Sequence, residues 1–327
     1  MTLLPLEELP RPLPAAAPGP VPARLLRTAL SLLPLLLIGA WAVIDRRSLS
    51  DSTARLASAD PWWLLAGVAF TLLTWVSAAC VRQGALPERL PPGLLLASQF
   101  AAGAANHVLP ASIGAHAVTL RFLQRQGVPL PRATASLALY SLVRPVAKTV
   151  VLIAFVVLSP GLLRPADLIP DGRTLLVPVT AAGLVALTAA LLLVFARPVR
   201  GFVRTALTDV RLLHTRPSRV LALWGGAAAA PLLQAGVIFS VGAALGLPLT
   251  WTQVAFAFLA ASTAVGAIPA PGGIGPVDAA LVFALVGFGA PTGPATATVV
   301  GYRVLTVWVP LLPGALVLSA LVQRKVL

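Results

Sequence analysis

The stretch Pro269-Ala270-Pro271-Gly272-Gly273-Ile274-Gly275-Pro276-Val277-Asp278 sits in the middle of an otherwise apolar segment, 250–290. Proline lacks a backbone N–H and glycine costs helix stability, so no continuous helix passes through it. An earlier apolar segment, 94–120, is built the same way and is broken by Asn106-His107-Val108-Leu109-Pro110. Irregular backbone at membrane depth survives only where protein or a watery cavity satisfies its polar groups. Both segments therefore read as broken, re-entrant helical hairpins.

The rest of the chain agrees with a membrane setting. Hydrophobic residues make up 58% of the 327 positions and charged residues 10%, with a mean hydropathy of +0.91. A soluble domain carries roughly 25% charged residues. A helix needs about 20 apolar residues to cross roughly 30 Å of hydrocarbon. Uninterrupted runs at 28–44, 61–81, 133–158, 174–196, 220–247 and 293–322 predict six full transmembrane helices. With the two hairpins they give about eight hydrophobic segments in an all-α polytopic membrane protein. Residues 1–23 hold seven prolines and two acids, Glu7 and Glu8, with no apolar period. They read as a disordered tail before a membrane domain at 24–327. Arg24 and Arg27 come just before the first run, which fits a retained signal anchor better than a cleaved peptide.

The net charge of +14 rests on 22 arginines and two lysines. Arginine bias with abundant alanine, proline and glycine points to a bacterial source and hence to the cytoplasmic (inner) membrane. The arginines stand in short loops between apolar runs, where they set orientation, so nucleic acid is not the expected partner. The N-terminal flank, 121–132, 197–219 and the end Arg324-Lys325 are basic, whereas 45–60 and 159–173 are balanced. Both termini are then cytoplasmic, and 45–60 and 159–173 external. This works only if 94–120 enters and leaves from the cytoplasm, as two half-helices of about 12 residues, each ~18 Å long. By the same reasoning 250–290 enters and leaves from outside.

The halves 28–158 and 174–322 share an order: span, span, broken hairpin, span. Ala133-Thr134-Ala135-Ser136 with Tyr140 matches Ala295-Thr296-Ala297-Thr298 with Tyr302, and Pro110, Ile113 and Gly114 match Pro271, Ile274 and Gly275. Opposite starting sides make this an inverted-topology repeat, a plan that places a midplane site between broken helices.

Each hairpin tip offers a helix N-terminus, whose free N–H groups and dipole favour an anion. Ser112 is a candidate cap in the first hairpin. Gly275, after Gly273 and before Pro276, is one in the second. Arg144, Lys148, Asp278 and Arg303 fall inside spans or hairpins, each at a cost of at least ~2.5–3.5 kcal/mol near the bilayer centre. Asp278 reads either as a carboxylate satisfying its own helix or as a counter-ion. One aspartate does not neutralise three cations, so the surplus points to an anionic guest held by Arg144, Lys148 and Arg303. Asn106, His107 and His116 are candidate polar lining around the first tip. Two histidines with no nearby acid or cysteine make a poor metal site, and the single cysteine, Cys80, excludes a disulfide within the chain. Neither a catalytic nor a nucleotide motif is recognised, so no cofactor is expected and the chain reads as a transporter-like protein.

Asn106-His107-Val108-Leu109-Pro110-Ala111-Ser112-Ile113-Gly114, Arg144, Pro269 to Ala280 and Tyr302-Arg303 together resemble the flippase-like membrane domain of lysylphosphatidylglycerol synthases. The likeness covers about residues 25–322. It implies lipid translocation, with membrane lipids as partners, and a stand-alone form without the soluble aminoacyl-transferring domain. The family usually has an acid, often glutamate, where Asp278 stands. It commonly has acids where Val143 and Ala147 flank Arg144, which leaves the substrate open among aminoacylated phospholipids, other phospholipids and polyprenyl-phosphate conjugates. The other reading is a non-transporting subunit that holds a separate lipid-modifying enzyme or glycosyltransferase, docked on 197–219.

Overall fold

The computed structural model describes residues 59–108, 113–159, 216–265 and 275–324. The tail 1–23, the expected spans 28–44 and 174–196, most of the loops 45–60, 159–173 and 197–219, and both hairpin tips lie outside the described residues. Every regular element among the described residues is helical, and no strand occurs there.

Eight helices carry the described fold. Helix α1, Pro61–Gly84, starts where Asp60 accepts a hydrogen bond from the Trp62 N–H at 2.9 Å and Pro61 takes the first helical position. The first hairpin is α2, Pro92–Val108, and α3, Ile113–Arg125. Helix α4, Leu130–Leu158, follows, with Pro145 inside it. Helix α5, Pro217–Ala244, contains a π turn at Leu221–Gly225. The second hairpin is α6, Trp251–Ala264, entered through a Thr250/Gln253 capping box, and α7, Pro276–Gly287. Helix α8, Thr292–Gln323, has a π turn at Val304–Trp308, just before Pro310 removes an N–H from the ladder.

Helices α1, α4, α5 and α8 are long and apolar enough to cross a membrane. The hairpin arms are not. Their 17, 13, 14 and 12 residues span about 26, 20, 21 and 18 Å at 1.5 Å per residue.

Helices α1 and α5 form an antiparallel central pair. At one end the Asp60 N–H donates to Ala244 O at 3.2 Å, and toward the other the Ser77 hydroxyl donates to Gly226 O at 2.7 Å. Small residues set this approach, because lipid gives helices no hydrophobic reason to associate and backbone proximity supplies the packing instead. A Cβ on Gly84 would stand 2.6 Å from Leu223 N, and one on Gly236 would touch the Phe70 ring at 3.0 Å. Many large apolar side chains point outward, among them Leu65, Leu72, Val150, Val157, Phe283 and Leu316, as a surface in contact with acyl chains requires.

The two hairpins enter from opposite ends of this pair. At the first, Leu95, Leu123 and Val128 pack with Leu86 and Leu90, next to the start of α5. The second sets Val254, Leu285 and Ala290 against Val237, Ile238 and Leu247, and Trp251 meets Phe155 near the far end of α4 at 5.7 Å. Charge is sorted by end. Arg89, Arg125, Arg132, Arg216 and Arg324 stand at the first end, where Arg132 pairs with Glu88 at 2.6 Å, and Asp60 stands at the second.

Local geometry recurs at an offset of 162 residues. Val128 N–H donates to Leu123 O at 3.0 Å, and Ala290 N–H to Leu285 O at 3.1 Å. The intervening glycines, Gly127 and Gly289, have φ of 80° and 96°. The Ala133 and Ala295 N–H groups bond back to Pro129 and Pro291, and the Thr134 and Thr296 hydroxyls to Leu130 O and Thr292 O. The same turn thus connects the second arm of each hairpin to the long helix that follows.

Candidate functional site

Glycine and proline open the second arm of hairpin two. Gly275 has φ 104°, a conformation that a side chain would strain, and Pro276 follows at the first helical position. This turn points the Gly275 N–H at Asp278, whose Oδ2 accepts it at 3.1 Å. The other carboxylate oxygen, Oδ1, lies 2.7 Å from both Nε and Nη2 of Arg303. Asp278 therefore performs both roles that the sequence left open. It satisfies the start of its helix and it neutralises Arg303. The two side chains are only 14% and 19% exposed, and the guanidinium also lies 5.4 Å from the Tyr302 ring.

The matching position in hairpin one holds different chemistry. His116 Nε2 and Ser141 Oγ lie 3.3 Å apart, in hydrogen-bond contact. The offset of 162 carries His116 onto Asp278 and Ser141 onto Arg303, so one frame holds an ion pair in one half and a neutral-capable pair in the other. Gly114, aligned with Gly275 at an offset of 161, also works differently. A Cβ there would stand 2.2 Å from Ala105 O, so Gly114 lets α2 and α3 touch backbone to backbone.

Between the hairpins, α4 carries a polar stripe. Ser141, Arg144 and Lys148 repeat at three and four residues and so share one face. Ser141 reaches hairpin one through His116. Lys148 Nζ reaches hairpin two, donating to Ser262 O at 2.9 Å and lying 3.5 Å from Ser262 Oγ. Arg144 is exposed between them and donates through Nη1 to the Tyr140 hydroxyl at 3.2 Å. Its guanidinium carbon lies 5.3 Å from the centroid of the same ring.

A second arginine uses that ring. Arg82 stands just past the apolar run 61–81, where charge begins. It belongs to the last turn of α1, is 5% exposed, and stacks its guanidinium 3.8 Å from the Tyr140 centroid. Among the described residues its Nε and Nη1 have no hydrogen-bond partner. Arg219, the last residue of the basic segment 197–219, is buried in the first turn of α5. There it donates to the carbonyls of Gln83, Leu86, Pro87 and Glu88 and so holds the turn after α1. Among the described residues no carboxylate bonds to Arg82, Arg144 or Lys148.

Of the other expected site residues, Asn106 is half-buried near the end of α2. His107 falls in that helix, but its side chain lies outside the description. Ser112 and Gly273 lie outside the described residues.

The family model described as the lysylphosphatidylglycerol synthase TM region matches residues 24–314. No curated protein matches the chain.

Proposed function

The chain belongs to the family of lysylphosphatidylglycerol synthase TM regions, and from that membership we propose that it moves a phosphate-bearing lipid between leaflets. The single observation that carries the reading is the α4 stripe. Arg144 and Lys148 stand well inside a spanning helix, four residues apart, with no carboxylate bonded to either among the described residues. Leaving cations there without a compensating anion is costly. A lipid phosphate supplies both the missing charge and strong acceptors, since charge-assisted bonds are about twice as strong as neutral ones. Arg303 contributes differently, because Asp278 already neutralises it.

The lipid-handling family, the hairpins that enter from opposite ends and the turns that recur at 162 residues all support an inverted-repeat transporter. In this reading the halves rock about α4, which touches both hairpins through Ser141 and Lys148. The sorting of arginines to one end supports a cytoplasmic orientation of that end, in a bacterial inner membrane. The protein acts as a carrier and not as an enzyme, and its partners are the membrane lipids themselves.

The test is a reconstituted assay on Arg144→Gln and Lys148→Gln. Each should slow movement of a labelled anionic phospholipid by at least tenfold while the melting temperature stays near wild type. Wild-type rates in both variants would assign the stripe a structural role.

A further inference from the structure

Arg82 has no role in the stripe just described, and its surroundings are unusual. A guanidinium carries five N–H donors in one plane and stays protonated in any protein environment. Stacking on Tyr140 satisfies the face of the group at 3.8 Å and leaves its edge unsatisfied. Nε and Nη1 are buried there with no partner among the described residues. Burying charge and donors unpaired is among the costlier arrangements in a protein. The ring that Arg82 stacks on, Tyr140, packs in turn against an apolar cluster that includes Val81, Ala85, Val143, Ala147 and Leu223.

Tyr140 is the common element. Its ring carries the buried Arg82, and its hydroxyl accepts from the exposed Arg144 at 3.2 Å. One phenol thus acts as the electron-rich partner of two cations. It is a weak substitute for an anion, because its oxygen is neutral and can serve only one of them.

We infer that Arg82, Tyr140 and Arg144 form a phosphate subsite in which Arg144 meets the anion first and Arg82 takes it when the Tyr140 side chain swings aside. The inference rests on the transport reading for its physiological meaning and on the described geometry for its existence. The recognised chemistry is a phosphate group, free or on a lipid. Two arginine forks suit its oxygens better than two ammonium groups would.

Equilibrium binding tests it separately from transport. Purified protein in a non-ionic detergent is titrated with dioctanoyl phosphatidylglycerol, inorganic phosphate and dioctanoylglycerol, with thermal shift as the readout. Phosphatidylglycerol should bind and dioctanoylglycerol should not. Comparable protection by inorganic phosphate would mark a free-anion site of the same chemistry, and protection by the lipid alone would mark a lipid phosphate site. Arg82→Gln should weaken binding at least tenfold, and Arg82→Lys should weaken it less, because charge remains without the fork. Arg82→Met should raise the melting temperature of the ligand-free protein while losing the ligand-induced shift, since it removes an unpaired buried cation. Tyr140→Phe keeps the ring and deletes the competing acceptor, so binding should tighten severalfold.

Wild-type affinity in Arg82→Gln, or equal binding of dioctanoylglycerol and phosphatidylglycerol, would overturn the subsite. Binding through Arg82 without lipid movement in vesicles would keep the subsite and remove the transport reading. Unchanged binding and unchanged movement in Arg82→Gln would remove the subsite alone.

Discussion

Arg303 brings two nitrogens, Nε and Nη2, to 2.7 Å from a single oxygen of Asp278, and the other oxygen of that carboxylate caps the helix behind it. This pairing divides the intramembrane cations into two classes. Arg303 is compensated within the second half, whereas Arg82, Arg144 and Lys148 are uncompensated among the described residues. An anionic guest is therefore expected beside α4 and not at the tip of hairpin two.

The pair predicts an asymmetric mutational response. Asp278→Asn keeps an acceptor for Gly275 but strands Arg303. It should cost on the order of 2–3 kcal/mol, below the ~3–5 kcal/mol of a broken, fully buried pair. Arg303→Met in the same chain should recover much of the loss. A double-mutant cycle on melting in detergent checks this, and additive losses would show that the two residues act independently.

Arg219 ties the start of α5 to the turn after α1 through four carbonyls. Arg219→Ala should destabilise by roughly 3 kcal/mol or more, given ~1.5–3 kcal/mol for each hydrogen bond to a charged group. Arg219→Lys should rescue little, because one ammonium cannot reproduce a planar fork. Thermal melting and limited proteolysis at the 85–91 turn report the result.

Glycine substitutions separate close approach from open space. Gly114→Ala places a Cβ 2.2 Å from Ala105 O and must push α2 and α3 apart. Overpacking of this kind costs roughly 1–3 kcal/mol or more. Gly93→Ala and Gly287→Ala meet nothing within 4 Å and should leave the melting temperature unchanged or slightly raised. Equal effects at all three sites would contradict the hairpin geometry.

The four spans among the described residues were legible in the sequence because hydropathy and length are local properties. The run 61–81 appears as Pro61–Gly84, and the break near Gly275 appears where glycine and proline demanded it. Arg303 stood out in the sequence from its depth alone, and the structure pairs it with Asp278. Arg82 did not. It stands where an apolar run ends and charge begins, which reads locally as a loop, and its burial depends on Tyr140 in a distant helix. The match of His116–Ser141 to Asp278–Arg303 was hidden for a different reason. The offset of 162 was already present in the matched Ala133–Ser136 and Ala295–Thr298, but an imidazole–hydroxyl pair does not resemble a carboxylate–guanidinium pair, and the recurring turns at Gly127 and Gly289 are what extend that offset into the hairpins. The expected pairing of Asp278 with helix or cation was left open because one carboxylate has two oxygens, and the fold uses each for a different task.

Lipid movement itself is the most direct measurement. Proteoliposomes containing the purified chain and a fluorescent anionic phospholipid, symmetrically labelled, are exposed to a membrane-impermeant quencher. Without transport about half the signal is lost, because only the outer leaflet is reached. The account predicts a loss well beyond half in wild type, slowed at least tenfold by Arg144→Gln. A loss that stops at half in wild type, with the protein shown folded and inserted, would contradict it and favour a membrane subunit that serves a separate lipid-modifying enzyme.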